Sequence, residues 1–164
     1  MERANLACMR PARTPIGLQL TQSSRAISRA FDNALAGAGG SLPVWLIMIS
    51  LKTRTLASQR ELAEVVGIRE ATLTHHLTSM EADGLISRRR DKANRRVQVV
   101  ELTPAGEEAF LRLRAVALSF DTQLRRGISA AEISDLEGLL ERLAANVGAG
   151  RSTSVPWAGL ADSG

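Results

Sequence analysis

Two histidines stand side by side at His75 and His76, in the stretch LTHHL, and the chain contains no others. A pair of imidazoles does joint chemistry only when both rings reach the same ion or proton. On a helix that needs a spacing of three or four residues, whereas adjacent side chains diverge by about 100°. The pair is therefore a poor metal clamp. Cys8 is the single cysteine and is distant in sequence, so no zinc donor set is available. The chain also lacks a nucleophile with a positioned base, and the glycines of GAGG at 37–40 lack the flanking strand of a nucleotide loop. No enzyme activity, metal or cofactor is expected.

A second constellation is electrostatic. From Arg88 to Arg96 the chain reads RRRDKANRR, six basic residues against one acidic one, while the formal net charge of all 164 residues is only +4. Surface loops ordinarily balance their signs, so this run signals an anion partner. Aromatic residues make up only 3% of the chain and tyrosine is absent, which leaves few rings for unpaired bases to stack on. A nucleic-acid partner is accordingly expected to be duplex.

The length suits one domain. A lone cysteine excludes an internal disulfide framework and fits a reducing compartment. The N-terminal MERANLACMRPARTP has no secretion-signal core, and the longest apolar run, LPVWLIMISL at 42–51, is too short to span a bilayer. A cytoplasmic protein with no membrane partner is expected.

Helix signals locate both constellations. Thr14-Pro15 predicts a hydroxyl cap with proline at the first helical position. Ile16, Leu20, Ile27, Phe31 and Leu35 then recur at helical spacing up to the glycines at 37–40. Ser41 caps a second, almost wholly apolar helix through Leu51. Ser58 and Glu61 form a capping box for a third that ends at Gly67, and a fourth follows from about Arg69 to Asp83. Two short helices across a glycine turn make a helix-turn-helix. LISRRR and RVQVVEL read as strands around a DKAN tip, a basic hairpin or wing. Thr103-Pro104 opens a long helix to about Arg126. Ser129 with Glu132 caps the last one, striped by Ile133, Leu136, Leu140, Leu143 and Val147.

The predicted fold is mainly α with a small β-hairpin wing. A flexible arm at 1–13 precedes a single domain at 14–147, and a flexible tail occupies 148–164. Within the domain, a winged helix-turn-helix of about 41–103 is flanked by dimerisation helices at about 14–36 and 103–147. Apolar stripes that long need a partner, and a second copy of the chain is the expected source.

On the fourth helix Leu73, Leu77 and Met80 define the buried face. His75 falls opposite it, among Thr72, Thr74 and Thr78, and with Arg69 these are candidate contacts to DNA phosphates or base edges. His76 falls on the border. It is either a packed, hydrogen-bonded core residue or part of a small-molecule pocket with Trp45 and Met48. Lys92, Arg95 and Arg96 at the hairpin tip suit the minor groove. On the preceding strand, alternation lets Arg88 and Arg90 face phosphates together.

The stretch from Ser58 to Thr103, with SQRELAEVVGI, ATLTHHLTSMEADGLISR and NRRVQVVELT, resembles the multiple-antibiotic-resistance regulator (MarR) family of bacterial transcription factors. The likeness extends less specifically over about 14–147. It implies a triangular, mostly helical dimer whose two winged heads read a pseudo-palindromic operator. It also implies repression, relieved by a small, often aromatic ligand bound between the dimer helices and the head. In these terms the fourth helix is the recognition helix, with Thr72, Thr74 and His75 at or near DNA and Arg96 in the minor groove.

The sequence departs from the family at two points. Asn94 stands where the wing commonly has an aspartate that orients the arginine, and His76 stands where an aliphatic residue is common. One branch of the family senses peroxides through a first-helix cysteine and tyrosines. Here Cys8 precedes the helix and there is no tyrosine. Alternative readings are a winged helix used only for protein contacts, and a redox-responsive regulator acting through Cys8.

Overall fold

The computed structural model describes residues 14–53, 59–90 and 98–148. Six helices and one hairpin follow in order: α1 Ile16–Ala36, α2 Leu42–Thr53, α3 Gln59–Val66, α4 Glu70–Ala82, β1 Ile86–Arg90, β2 Gln98–Leu102, α5 Pro104–Leu124 and α6 Ala130–Asn146. The architecture matches the mainly α, winged expectation. The predicted arm, the tail beyond Gly148, the Ser58 cap and the DKAN tip lie outside the described residues.

The caps explain most of the boundaries. Ser129 and Glu132 form the reciprocal capping box at α6, and the Thr103 hydroxyl accepts from the Gly106 N–H at 3.0 Å with Pro104 in the first helical position. The start of α1 differs from expectation. Pro15 itself occupies the cap position, with φ −53 and ψ 136 and no side-chain bond, and the helix begins at Ile16. A proline disfavours helical geometry in the residue before it, so Thr14 is held outside the helix and its hydroxyl caps nothing. At α2 the expected Ser41 hydroxyl is a long acceptor for the Val44 N–H, at 3.4 Å. The shorter bond to this terminus comes from Asp32 of α1, whose carboxylate accepts from the Leu42 N–H at 2.7 Å.

The core is built around α2. Trp45, Ile47, Met48 and Ile49 are fully buried, and the helix packs against α1, α3, α4, α5 and β2. A helix apolar on nearly every face can be stable only when surrounded. Leu62 and Val66 of α3, Leu73, Leu77 and Met80 of α4, Ile86 of β1, and Phe110 and Leu113 of α5 close the cluster. Each such large side chain contributes about 1.5–3 kcal/mol on burial. The one buried polar residue among those described, Ser50, donates to the Leu46 carbonyl at 2.7 Å.

The hairpin is antiparallel, with Ile86 opposite Leu102, Arg88 opposite Val100 and Arg90 opposite Gln98. Its base is clasped by α5. Thr103 donates its backbone N–H to the Leu85 carbonyl at 3.0 Å and its hydroxyl to the Gly84 carbonyl at 2.5 Å. Gly106 sits so close to this joint that a Cβ there would lie 1.9 Å from the Leu85 oxygen.

The two ends of the chain behave differently from the head. α6 has no buried residue, and Leu136, Leu139 and Leu140 are exposed along it, as is Val147 at its C-terminal cap. On α1 only Leu35 is buried, although Phe31 stacks on Phe120 of α5 at 4.9 Å between centroids, and Ile16, Leu18 and Ile27 face solvent.

Candidate nucleic-acid interface

α4 presents two chemically distinct sides. Leu73, Leu77 and Met80 are buried, while Arg69 at its cap and Thr72, Thr74, His75 and Thr78 along it are exposed. The helix follows α3 across a turn at Gly67-Ile68, which completes a helix-turn-helix. The Thr74 hydroxyl donates to the Glu70 carbonyl at 2.9 Å, which leaves its lone pairs outward. His75 is exposed and His76 half-buried, their ring centroids 6.0 Å apart at 58°. The histidine expected on the outer face and the one expected on the border occupy those positions.

The hairpin leaves the end of α4 through a tight turn. Gly84 adopts φ +70, a conformation that costs a residue with a Cβ. Its N–H donates to the Glu81 carbonyl at 3.0 Å, and the Leu85 N–H donates to Met80 at 2.8 Å, so the last carbonyls of α4 are satisfied. β1 then alternates. Ile86 points into the core, and Arg88, two residues on, shares its face.

That alternation corrects the expectation for Arg88. Its side chain is only 17% exposed, and its guanidinium is held by Glu81 of α4, with Nε 2.8 Å from Oε2 and Nη2 on the same oxygen. This hydrogen bond is the main reason the Glu81 carboxyl is held below the usual carboxylate range. Arg89 takes the opposite face, where it reaches across the hairpin to Glu101 at 2.8 and 3.1 Å, and the bond likewise lowers the Glu101 carboxyl. Arg88 is thus held by a carboxylate of its own subunit. Lys92, Arg95 and Arg96, with Asn94 and Asp91, lie outside the described residues, as does the Arg90 side chain.

The sequence reading missed Glu81 and Glu101. A signal existed for the first: an arginine two residues beyond a core isoleucine on a strand must turn inward and needs an anion there. Which carboxylate supplies it depends on how α4 and β1 meet.

The suspected ligand residues do not open onto a cleft together. Trp45 and Met48 are fully buried, and Trp45 stacks on Phe110 at 5.6 Å. A cleft of about 330 Å³ lies elsewhere, between Ala34 of α1 and Ala115, Val116, Ser119, Phe120 and Gln123 of α5. Trp45, Met48 and His76 do not line it. Among the described residues no three or more His, Cys, Asp or Glu cluster as a metal set, and no helix is long and apolar enough to cross a membrane.

Comparison with known proteins places this arrangement. The MarR family model matches residues 41–97. The transcriptional regulator PA3341 is 31% identical, with a TM-score of 0.70 over 82% of this chain and 98% of that one. The chain belongs to the MarR family. A probable transcriptional regulator from Pseudomonas aeruginosa is 28% identical, with a TM-score of 0.69 over 78% and 96% of the two chains. CouR, a transcriptional repressor solved on a 23-mer DNA duplex, shares the MarR fold at 20% identity, with a TM-score of 0.72 over 79% and 92%. CouR from Rhodococcus jostii RHA1 has also been solved with p-coumaroyl-CoA, at 18% identity, with a TM-score of 0.70 over 83% of this chain and 96% of that one.

Proposed function

We propose that this MarR-family chain is a homodimeric repressor that grips a pseudo-palindromic duplex operator and lets go when a small ligand binds. The observation that carries the reading is the exposed polar side of α4, opposite its buried leucines and directly joined to a hairpin rich in arginine. Arg69, Thr72, Thr74, His75 and Thr78 are the groups for the major groove; Arg90, Lys92, Arg95 and Arg96 are those for phosphates and the minor groove. The CouR complex with DNA supports this use of the fold. Two recognition helices about 34 Å apart would meet one face of B-form DNA. Such a protein acts in the cytoplasm, where the bacterial chromosome is.

The ligand half of the reading draws support from CouR with p-coumaroyl-CoA. Trp45 and Met48 are closed inside the core, and of the three suspected residues only His76 reaches solvent.

The test is fluorescence anisotropy with duplexes enriched by the full chain from a randomised pool. Replacing Arg95 and Arg96 with alanine weakens binding, and the log–log salt slope becomes shallower by about 0.9 for each phosphate no longer neutralised. Unchanged affinity, or binding indifferent to salt, would overturn the reading in favour of protein contacts.

A further inference from the structure

The Glu81–Arg88 pair spans the joint between α4 and the hairpin. Glu81 belongs to the last turn of the helix, Arg88 to the middle of β1, and the backbone between them turns at Gly84. We infer that this pair is a positioning device for DNA recognition: it sets the angle between the reading helix and the hairpin without either side chain touching the duplex. The inference rests on the DNA-binding function proposed for the chain.

Three observations carry it. Nε and Nη2 of Arg88 both reach one oxygen of Glu81, so the guanidinium is oriented as well as neutralised. The pair is partly shielded, at 17% and 39% side-chain exposure, whereas Arg89–Glu101 is about half exposed on both sides and ties strand to strand rather than hairpin to helix. On the other side of the joint, Thr103 grips Gly84 and Leu85, so the hairpin root is held from two directions.

Leverage makes the angle matter. β1 has five residues, so its far end lies about 16 Å from the root, and a swing of about 10° moves that end by about 3 Å. A displacement of that size exceeds what a hydrogen bond to a phosphate tolerates. Helix and hairpin must meet the same duplex together, so a loose joint weakens the grip although every residue that touches DNA is intact.

The sign of one substitution separates positioning from bulk electrostatics. E81Q removes a negative charge from the DNA-facing half of the protein, and electrostatics alone therefore predicts tighter binding. Positioning predicts the reverse. On the duplex enriched by the wild-type chain, E81Q should bind about tenfold more weakly and with a shallower salt slope, at a melting temperature near that of wild type. R88K, which keeps the charge but loses the fork, should also weaken binding. The double exchange E81R/R88E, which conserves net charge and rebuilds the pair, should recover most of the affinity.

E81Q binding as well as wild type or better would overturn the proposal, as would a double exchange that recovers nothing while folding normally. A wild-type chain that enriches no duplex at all would instead remove the DNA-binding function, and this inference with it.

Discussion

Gly106 occupies a position that no other residue type can fill without moving the backbone. The atom facing it is the Leu85 carbonyl oxygen, which already accepts from the Thr103 N–H at 3.0 Å and cannot withdraw without breaking that bond. Gly106→Ala should therefore destabilise the chain by about 3 kcal/mol, the upper end for overpacking, read as a lowered midpoint in urea. An unchanged midpoint would mean that the clasp between α5 and the hairpin root yields easily. Arg88 makes a related point about charge. Within the run of basic residues, strand parity sends Arg88 inward to Glu81 and Arg89 outward to Glu101. The parity was readable from Ile86 alone. The identity of the partner required knowing how α4 and β1 meet.

Helices here begin where local chemistry places them, except where a neighbour intervenes. The capping box at α6 was legible because Ser129 and Glu132 need only each other, and the Ser129 backbone N–H holds the Glu132 carboxyl below its ordinary range. Ser129→Ala should cost about 1 kcal/mol in chemical unfolding, as for other serine caps removed. No change would show that α6 draws its start from elsewhere. The second helix was only half legible. Its serine was visible, but the 2.7 Å bond from Asp32 crosses from one helix to the next over ten residues. The histidines show the same division. Their faces followed from helical period, while the fully buried state of Trp45 and Met48 followed from the surrounding elements.

The whole molecule is unevenly finished. Its head is sealed around α2, yet α6, a helix of 17 residues, buries no residue fully, and isolated helices of that length are marginal in water. Leu136, Leu139 and Leu140 remain 46%, 51% and 42% exposed, a row of leucines that a second copy would cover. Sedimentation velocity at micromolar concentration should find a dimer for the wild-type chain and a monomer for Leu139→Glu combined with Leu140→Glu. The same variant should lose most operator affinity, since one head alone holds only one half-site. A monomeric wild-type chain would remove the two-headed grip and leave α6 unexplained.

Sequence alone settled the order of the described elements, most of the ends that fall on described residues, the buried face of α4, and a resemblance to a winged family. Each of these depends on spacing along the chain, and helix period, strand alternation and caps act over only a few residues. The tertiary structure decided which arginines are committed to carboxylates within the subunit, which carboxylate caps α2, why residue 106 must lack a side chain, and which apolar stripes stay uncovered. Those depend on distances through space between segments the sequence keeps apart, and a charge or a carbonyl has no partner until the chain has folded.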